Sequence, residues 1–200
     1  MGEEIEAKIR VADPEAFRRR MAERGADGGE TVLEDNRLFD DPAETLRRLG
    51  AALRVREERA AADGTPLRAT VTYKGPRAEG ELKRREEIEV EVRAAPGFAE
   101  ATPGALGLGD IFEAIGLRET FRYEKRRSIW RVGECEVALD ELPHLGWFVE
   151  IEGPTEKAIR ACLEDLGLAG EPLVADDYIA LLSERLRSLG RDPERAAFEI

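Results

Sequence analysis

Polar and apolar residues alternate with a period of two over long stretches of the chain. In Glu4-Ile5-Glu6-Ala7-Lys8-Ile9 the charged side chains fall on one face of an extended strand, and Ile5, Ala7 and Ile9 fall on the other. The same alternation sets Arg54 and Arg56 against Leu53 and Val55, then Thr70, Thr72 and Lys74 against Val71 and Tyr73. It also sets Arg85, Glu87, Glu89 and Glu91 against Ile88, Val90 and Val92. Gly64, Gly75-Pro76 and Gly80 supply turns between these runs, which read as an antiparallel meander. Strands are also predicted over about residues 31–39, 122–130, 134–140 and 147–152, making eight with the N-terminal strand at about 3–11.

Helical signals lie between and after the strands. Asp13-Pro14-Glu15 is an N-cap followed by Pro at the first helical position, and Gly25 ends that helix. The stretch from Glu44 to Gly50 fits either one helical turn or a structured loop. Residues 94–109, rich in Pro and Gly, read as irregular and lead into a short helix capped at Asp110 and closed by Gly116. Pro154-Thr155-Glu156 opens a helix whose Ile159, Cys162, Leu163 and Leu166 share a face. Tyr178, Leu181, Leu182, Leu186 and Leu189 do the same for a last helix. Eight antiparallel strands can close a barrel with room for a small ligand. The expected fold is therefore α+β, an eight-stranded antiparallel β-barrel with helices packed outside. One domain is expected over residues 1–190, with a mobile tail at 191–200.

Composition narrows the function. A formal net charge of -12 argues against a nucleic-acid partner. Cys135 and Cys162 are too few for a disulfide framework, and one histidine, His144, rules out a His-rich zinc site. The chain has neither a long apolar run nor the basic and apolar regions of a signal peptide, so the expectation is a cytoplasmic protein with no membrane partner.

The charged strand faces carry the chemistry. Read as one inward surface, they give a basic group of Lys8, Arg54, Arg56, Lys74, Arg85, Lys125 and Arg127. The acidic group is Glu4, Glu6, Glu87, Glu89, Asp140, Glu150 and Glu152. Solvated faces laced with ion pairs are the plain alternative. Exposed pairs contribute only about 0–1 kcal/mol each, so stability alone does not explain so many. Seven positive charges fit a chain of phosphates, gripped bidentately by Arg and as a point charge by Lys. Same-face carboxylates such as Glu4 and Glu6 repel each other, and a divalent cation bridging the phosphates relieves that repulsion.

In order and spacing, the chain resembles the CYTH superfamily of triphosphate tunnel metalloenzymes. The resembling elements are Glu4-x-Glu6-x-Lys8, the strand Asn36–Pro42, Ala52-Leu53-Arg54-x-Arg56 and Thr72-Tyr73-Lys74-Gly75-Pro76. They continue with Arg85-x-Glu87-x-Glu89, Lys125-x-Arg127, Leu139-Asp140 and the closing Gly146–Glu152. Leu38 stands where the family commonly has a Tyr. The resemblance implies a tunnel whose basic side holds a triphosphate and whose acidic side holds one or two Mg²⁺ or Mn²⁺ ions. It implies metal ligation by Glu4, Glu6, Asp140, Glu150 and Glu152, with Glu87 and Glu89 secondary. Substrate binding falls to the seven bases, and catalysis to Lys8, Glu6 and Glu152. The implied substrate is a small-molecule triphosphate: tripolyphosphate, thiamine triphosphate or ATP. Hydrolysis, cyclisation of ATP and non-catalytic binding of polyphosphate or a nucleotide remain the readings, in a monomer or homodimer.

Overall fold

All eight predicted strands form, and they close on themselves. The computed structural model describes residues 2–78, 80, 82–93 and 106–199. In chain order the elements are β1 (Gly2–Val11), α1 (Pro14–Glu23), β2 (Asp27–Asp40), α2 (Thr45–Arg48), β3 (Ala52–Ala60), β4 (Pro66–Lys74) and β5 (Lys83–Val92). They continue with α3 (Leu106–Ala114), β6 (Arg118–Val132), β7 (Cys135–Leu142), β8 (Gly146–Glu152), α4 (Glu156–Asp165), α5 (Tyr178–Ser188) and β9 (Arg195–Ala196). The order around the barrel is β2-β3-β4-β5-β1-β8-β7-β6, and β6 returns to β2. Every neighbouring pair in that ring is antiparallel.

Register decides which side chains face inward. Lys8 lies opposite Glu150 and Glu6 opposite Glu152, so the two E-x-E segments turn their carboxylates to the same side. Arg56 lies opposite Asn36, Glu34 opposite Lys125, and Arg127 opposite Asp140. Slipping any strand by one residue would exchange this ionic lining for its apolar face. At the start of β2 a bulge shifts the register between Gly28 and Thr31. Gly28 has φ +116°, and a Cβ there would collide with the Ile129 carbonyl.

The main apolar core lies outside the barrel. Ile5, Ala7, Ile9, Val137, Leu139, Val149 and Ile151 pack against Phe17 and Met21 of α1 and Ile159, Cys162 and Leu163 of α4. Burial of each large apolar side chain contributes roughly 1.5–3 kcal/mol. This packing is why alternate residues of β1, β7 and β8 are apolar. Asp13 and Thr155 cap α1 and α4 where the sequence indicates, and Asp177 caps α5, each accepting a backbone N–H of the first turn. On the far side of the barrel α3 covers Phe39, Val55 and Ala69, with Phe112 edge-on to Phe39 at 5.2 Å.

Helix α5 behaves differently. Its Tyr178, Leu182 and Leu186 pack on Leu38, Phe121, Tyr123 and Phe148, which face inward. It therefore closes off one part of the tunnel.

Two expectations need correction. Helix α3 begins at Leu106, so Asp110 lies within it and is not its cap; residues 94–105 of the expected irregular stretch lie outside the described residues. The tail after Gly190 is tied down rather than loose. Pairing of β7 with β6 stops at Arg126, leaving an open edge where Arg195 and Ala196 pair with Arg122 and Tyr123. Ala196 is buried, and the Phe198 N–H donates to Glu124 at 2.9 Å. No helix among the described residues is long and apolar enough to cross a membrane.

Candidate active site in the tunnel

The inward faces enclose a cavity of about 510 Å³. Glu4, Glu6, Lys8, Arg54, Arg56, Lys74, Arg85, Lys125, Arg127, Glu150 and Glu152 all line it; Glu87, Glu89 and Asp140 do not. Strands far apart in sequence thus bring eleven of the fourteen predicted residues to one space.

The basic and acidic groups are interleaved, not set against each other as two separate walls. Glu4 sits between Lys74 Nζ at 2.6 Å and Arg85 Nε at 2.9 Å. Burial works to raise the Glu4 carboxyl, but Lys74 and Arg85 override it and hold it at about 2. Lys74 also reaches Glu87 at 2.9 Å. Glu6 pairs with Lys83 at 3.1 Å, a base that the sequence reading missed. Burial and the nearby charge of Lys8 push Lys83 down to about 8, although Glu6 opposes them.

At the other end the bases converge. Arg127 forks onto Asp140, with Nε to Oδ1 and Nη2 to Oδ2 both at 2.7 Å, and it also donates to Glu150. Lys125 lies 3.3 Å from both Asp140 and Glu34. Lys8 is 3.4 Å from Glu150, and its ammonium stands 3.8 Å from the centre of the Tyr178 ring. Asp140 also accepts the Tyr178 hydroxyl at 2.9 Å. Asp140, expected as a metal ligand, is thus fully buried and occupied as the anchor of the basic wall.

Arg54 is different. Its guanidinium donates to Thr72 at 3.2 Å and lies 3.6 Å from Glu89, but its buried Nε has no partner. Burial and the neighbouring Arg56 both lower its pKa. Glu152 is the acidic counterpart. Among the described residues it forms no ion pair, and desolvation followed by the charge of Glu4 raises it to about 7. Glu136 and Glu87 push in the same direction. No three acidic, cysteine or histidine side chains among the described residues form a preformed metal cage.

Glu34, Asn36, Lys83 and Tyr178 complete the site and were not among the predicted residues. Residues 34–37 are all polar, so a period of two cannot tell their faces apart. Tyr178 occupied an apolar position in the last helix, and nothing local showed that its hydroxyl would reach a strand 38 residues earlier.

An inward ionic lining in a closed eight-stranded barrel narrows the family, and the family profile settles it: the CYTH domain matches residues 2–166. The chain belongs to the CYTH domain family. It is 29% identical over 196 residues to adenylate cyclase CyaB of Aeromonas hydrophila, covering 92% of this chain and 90% of that protein. It is 28% identical over 187 residues to a Methanocaldococcus jannaschii protein provisionally named an adenylate cyclase, covering 89% and 97%. Its fold resembles the PH1819 protein of Pyrococcus horikoshii OT3 with a TM-score of 0.73 at 24% identity, covering 90% and 98%. It also resembles a Hippeastrum protein described as having a dominant triphosphatase activity, with a TM-score of 0.63 at 21% identity, covering 94% and 97%.

Proposed function

We propose that this CYTH protein is a divalent-metal-dependent enzyme acting on an organic triphosphate, with hydrolysis as its reaction. One observation carries the reading. A buried arginine nitrogen with no protein partner, Arg54 Nε, lies in a wall that also holds Arg56, Lys125, Arg127 and Lys8. A buried donor left unpaired costs about 1–3 kcal/mol, and a phosphate oxygen removes that cost. The cavity is of small-ligand size. Beyond the bases it is lined by Leu38, Leu46, Leu53, Phe121 and Ile179, a surface that suits an organic group better than bare tripolyphosphate.

The donor set fits Mg²⁺ or Mn²⁺, because Glu152 stands among the carboxylates Glu4, Glu136 and Glu87, with Lys74 acting on it from beyond ion-pair distance. Glu4, Glu6, Glu150 and Glu152 would hold the ion, which supplies charge neutralisation and an acidified water. Glu152, poised near neutrality, is suited to take the proton of the attacking group. Lys8 and Arg127 line the same cavity and would stabilise the negative charge that develops on the phosphoryl oxygens. A pure binding module has no use for an unpaired, near-neutral carboxyl.

Cyclisation of ATP is the second reading, favoured by the names of the Aeromonas and Methanocaldococcus relatives. It differs in the nucleophile, a ribose hydroxyl instead of water, and in the phosphorus attacked: the α-phosphorus with pyrophosphate leaving, instead of the terminal phosphorus with a diphosphate leaving. The test is to supply ATP, thiamine triphosphate and tripolyphosphate separately with Mg²⁺ or Mn²⁺ and identify the products. Orthophosphate and a diphosphate support hydrolysis; cyclic AMP with pyrophosphate supports cyclisation. No turnover of any of the three overturns the enzyme reading.

A further inference from the structure

Glu34 is a carboxylate 1% exposed inside a wall of bases, and it does not line the cavity. Its Oε1 lies 3.3 Å from Arg56 and 3.7 Å from Arg127 Nε; its Oε2 lies 3.3 Å from Lys125 and accepts the Asn36 amide at 3.3 Å. Buried ion pairs of this kind add little net stability over apolar packing, so holding the barrel together does not account for it. It would meet a phosphate in the cavity only through the bases it pairs with. What it changes is the charge that the phosphate meets.

On the reading of this tunnel as a triphosphate site, we infer that Glu34 sets how firmly the phosphate wall holds its ligand by lowering the positive charge that wall presents. Of the five bases there, Lys8, Arg54, Arg56, Lys125 and Arg127, Glu34 lies within 3.7 Å of three. Asp140, Glu150 and Glu89 offset the wall further. Without Glu34 the wall would hold a polyphosphate, and the diphosphate product with it, more firmly. Asn36, two residues along and on the same face, donates to Glu34 and accepts from Arg56 Nε at 3.1 Å, so a carboxylate moved there would do the same work.

The test measures binding of inorganic tripolyphosphate and of pyrophosphate by calorimetry in a chelator, for the parent and three variants. Glu34→Gln should bind both roughly tenfold tighter, because one unit of opposing charge is gone. Asn36→Asp should bind both roughly tenfold weaker. The double variant should return to parental affinity, a rescue that a merely structural role does not produce. Turnover of Glu34→Gln should fall as products stay bound. Unchanged or weaker binding by Glu34→Gln overturns the inference. If that variant does not fold, unchanged binding by Asn36→Asp overturns it instead. If the parent binds neither anion, with or without Mg²⁺, the triphosphate reading itself falls, and this inference with it.

Discussion

Replacing Arg54 with methionine separates a phosphate-gripping base from a structural one, because the two roles predict opposite changes in stability. Arg54 is 9% exposed, its Nε is unpaired and it lies beside Arg56. Removing the guanidinium relieves about 1–3 kcal/mol for the unpartnered donor. Against that, it forfeits the 3.2 Å bond to Thr72 and the 3.6 Å approach to Glu89, about 0.5–1.5 kcal/mol together. The thioether fills most of the space, so no large cavity opens. The ligand-free protein should therefore gain about 1 kcal/mol, raising Tm by about 2–4 °C for a chain of this length. Binding of tripolyphosphate with Mg²⁺ should weaken about ten- to a hundredfold, the worth of one charge-assisted bond. Arg54→Lys should recover part of the affinity, since it keeps the charge but loses the planar fork. Thermal melts and calorimetry on the same preparations give both readouts. A drop in Tm with affinity unchanged would make Arg54 a brace of β3 on β4 and refute the reasoning.

The remaining predictions address the acids and the ligand. Glu6→Gln should lower turnover at limiting Mg²⁺ by at least about tenfold and recover partly at high Mn²⁺; parental turnover at limiting Mg²⁺ would remove Glu6 from the metal site. The fold favours the protonated form of Glu152, so its contribution to stability is full below the unfolded value of 4.5 and is lost as pH rises through about 7. Glu152→Gln should accordingly gain on the ligand-free parent in melts between about pH 5 and about pH 8, and a constant difference between the two proteins would show that Glu152 is not shifted. Tripolyphosphate together with Mg²⁺ should raise the parental Tm more than either alone, with monophosphate doing far less; equal shifts from monophosphate and tripolyphosphate at matched ionic strength would indicate only a general anion effect.

The sequence alone determined the strands and most of the lining. Most strands offer an apolar face to α1, α3 or α4, so the other face could be read from a period of two, as in Glu4-x-Glu6-x-Lys8 and Arg54-x-Arg56. The starts of α1 and α4 were legible because Asp13 and Thr155 satisfy backbone N–H groups within three residues of themselves. What the sequence could not hold was pairing across the barrel. Ring closure of β6 on β2 brings Lys125 to Glu34, and packing of α5 brings the Tyr178 hydroxyl to Asp140. The partner of each charge was therefore unreadable, and the expected opposition of a basic and an acidic wall became an interleaved set with Arg54 and Glu152 left over. The tail was decided in the same way. Nothing in Arg195-Ala196 marks a strand; it became one because β7 stops short and leaves one edge of β6 open at Arg122 and Tyr123, whose other edge pairs with β2. Local propensity and periodicity act over a few residues, while charge neutralisation and edge pairing act over whatever the closed barrel brings together.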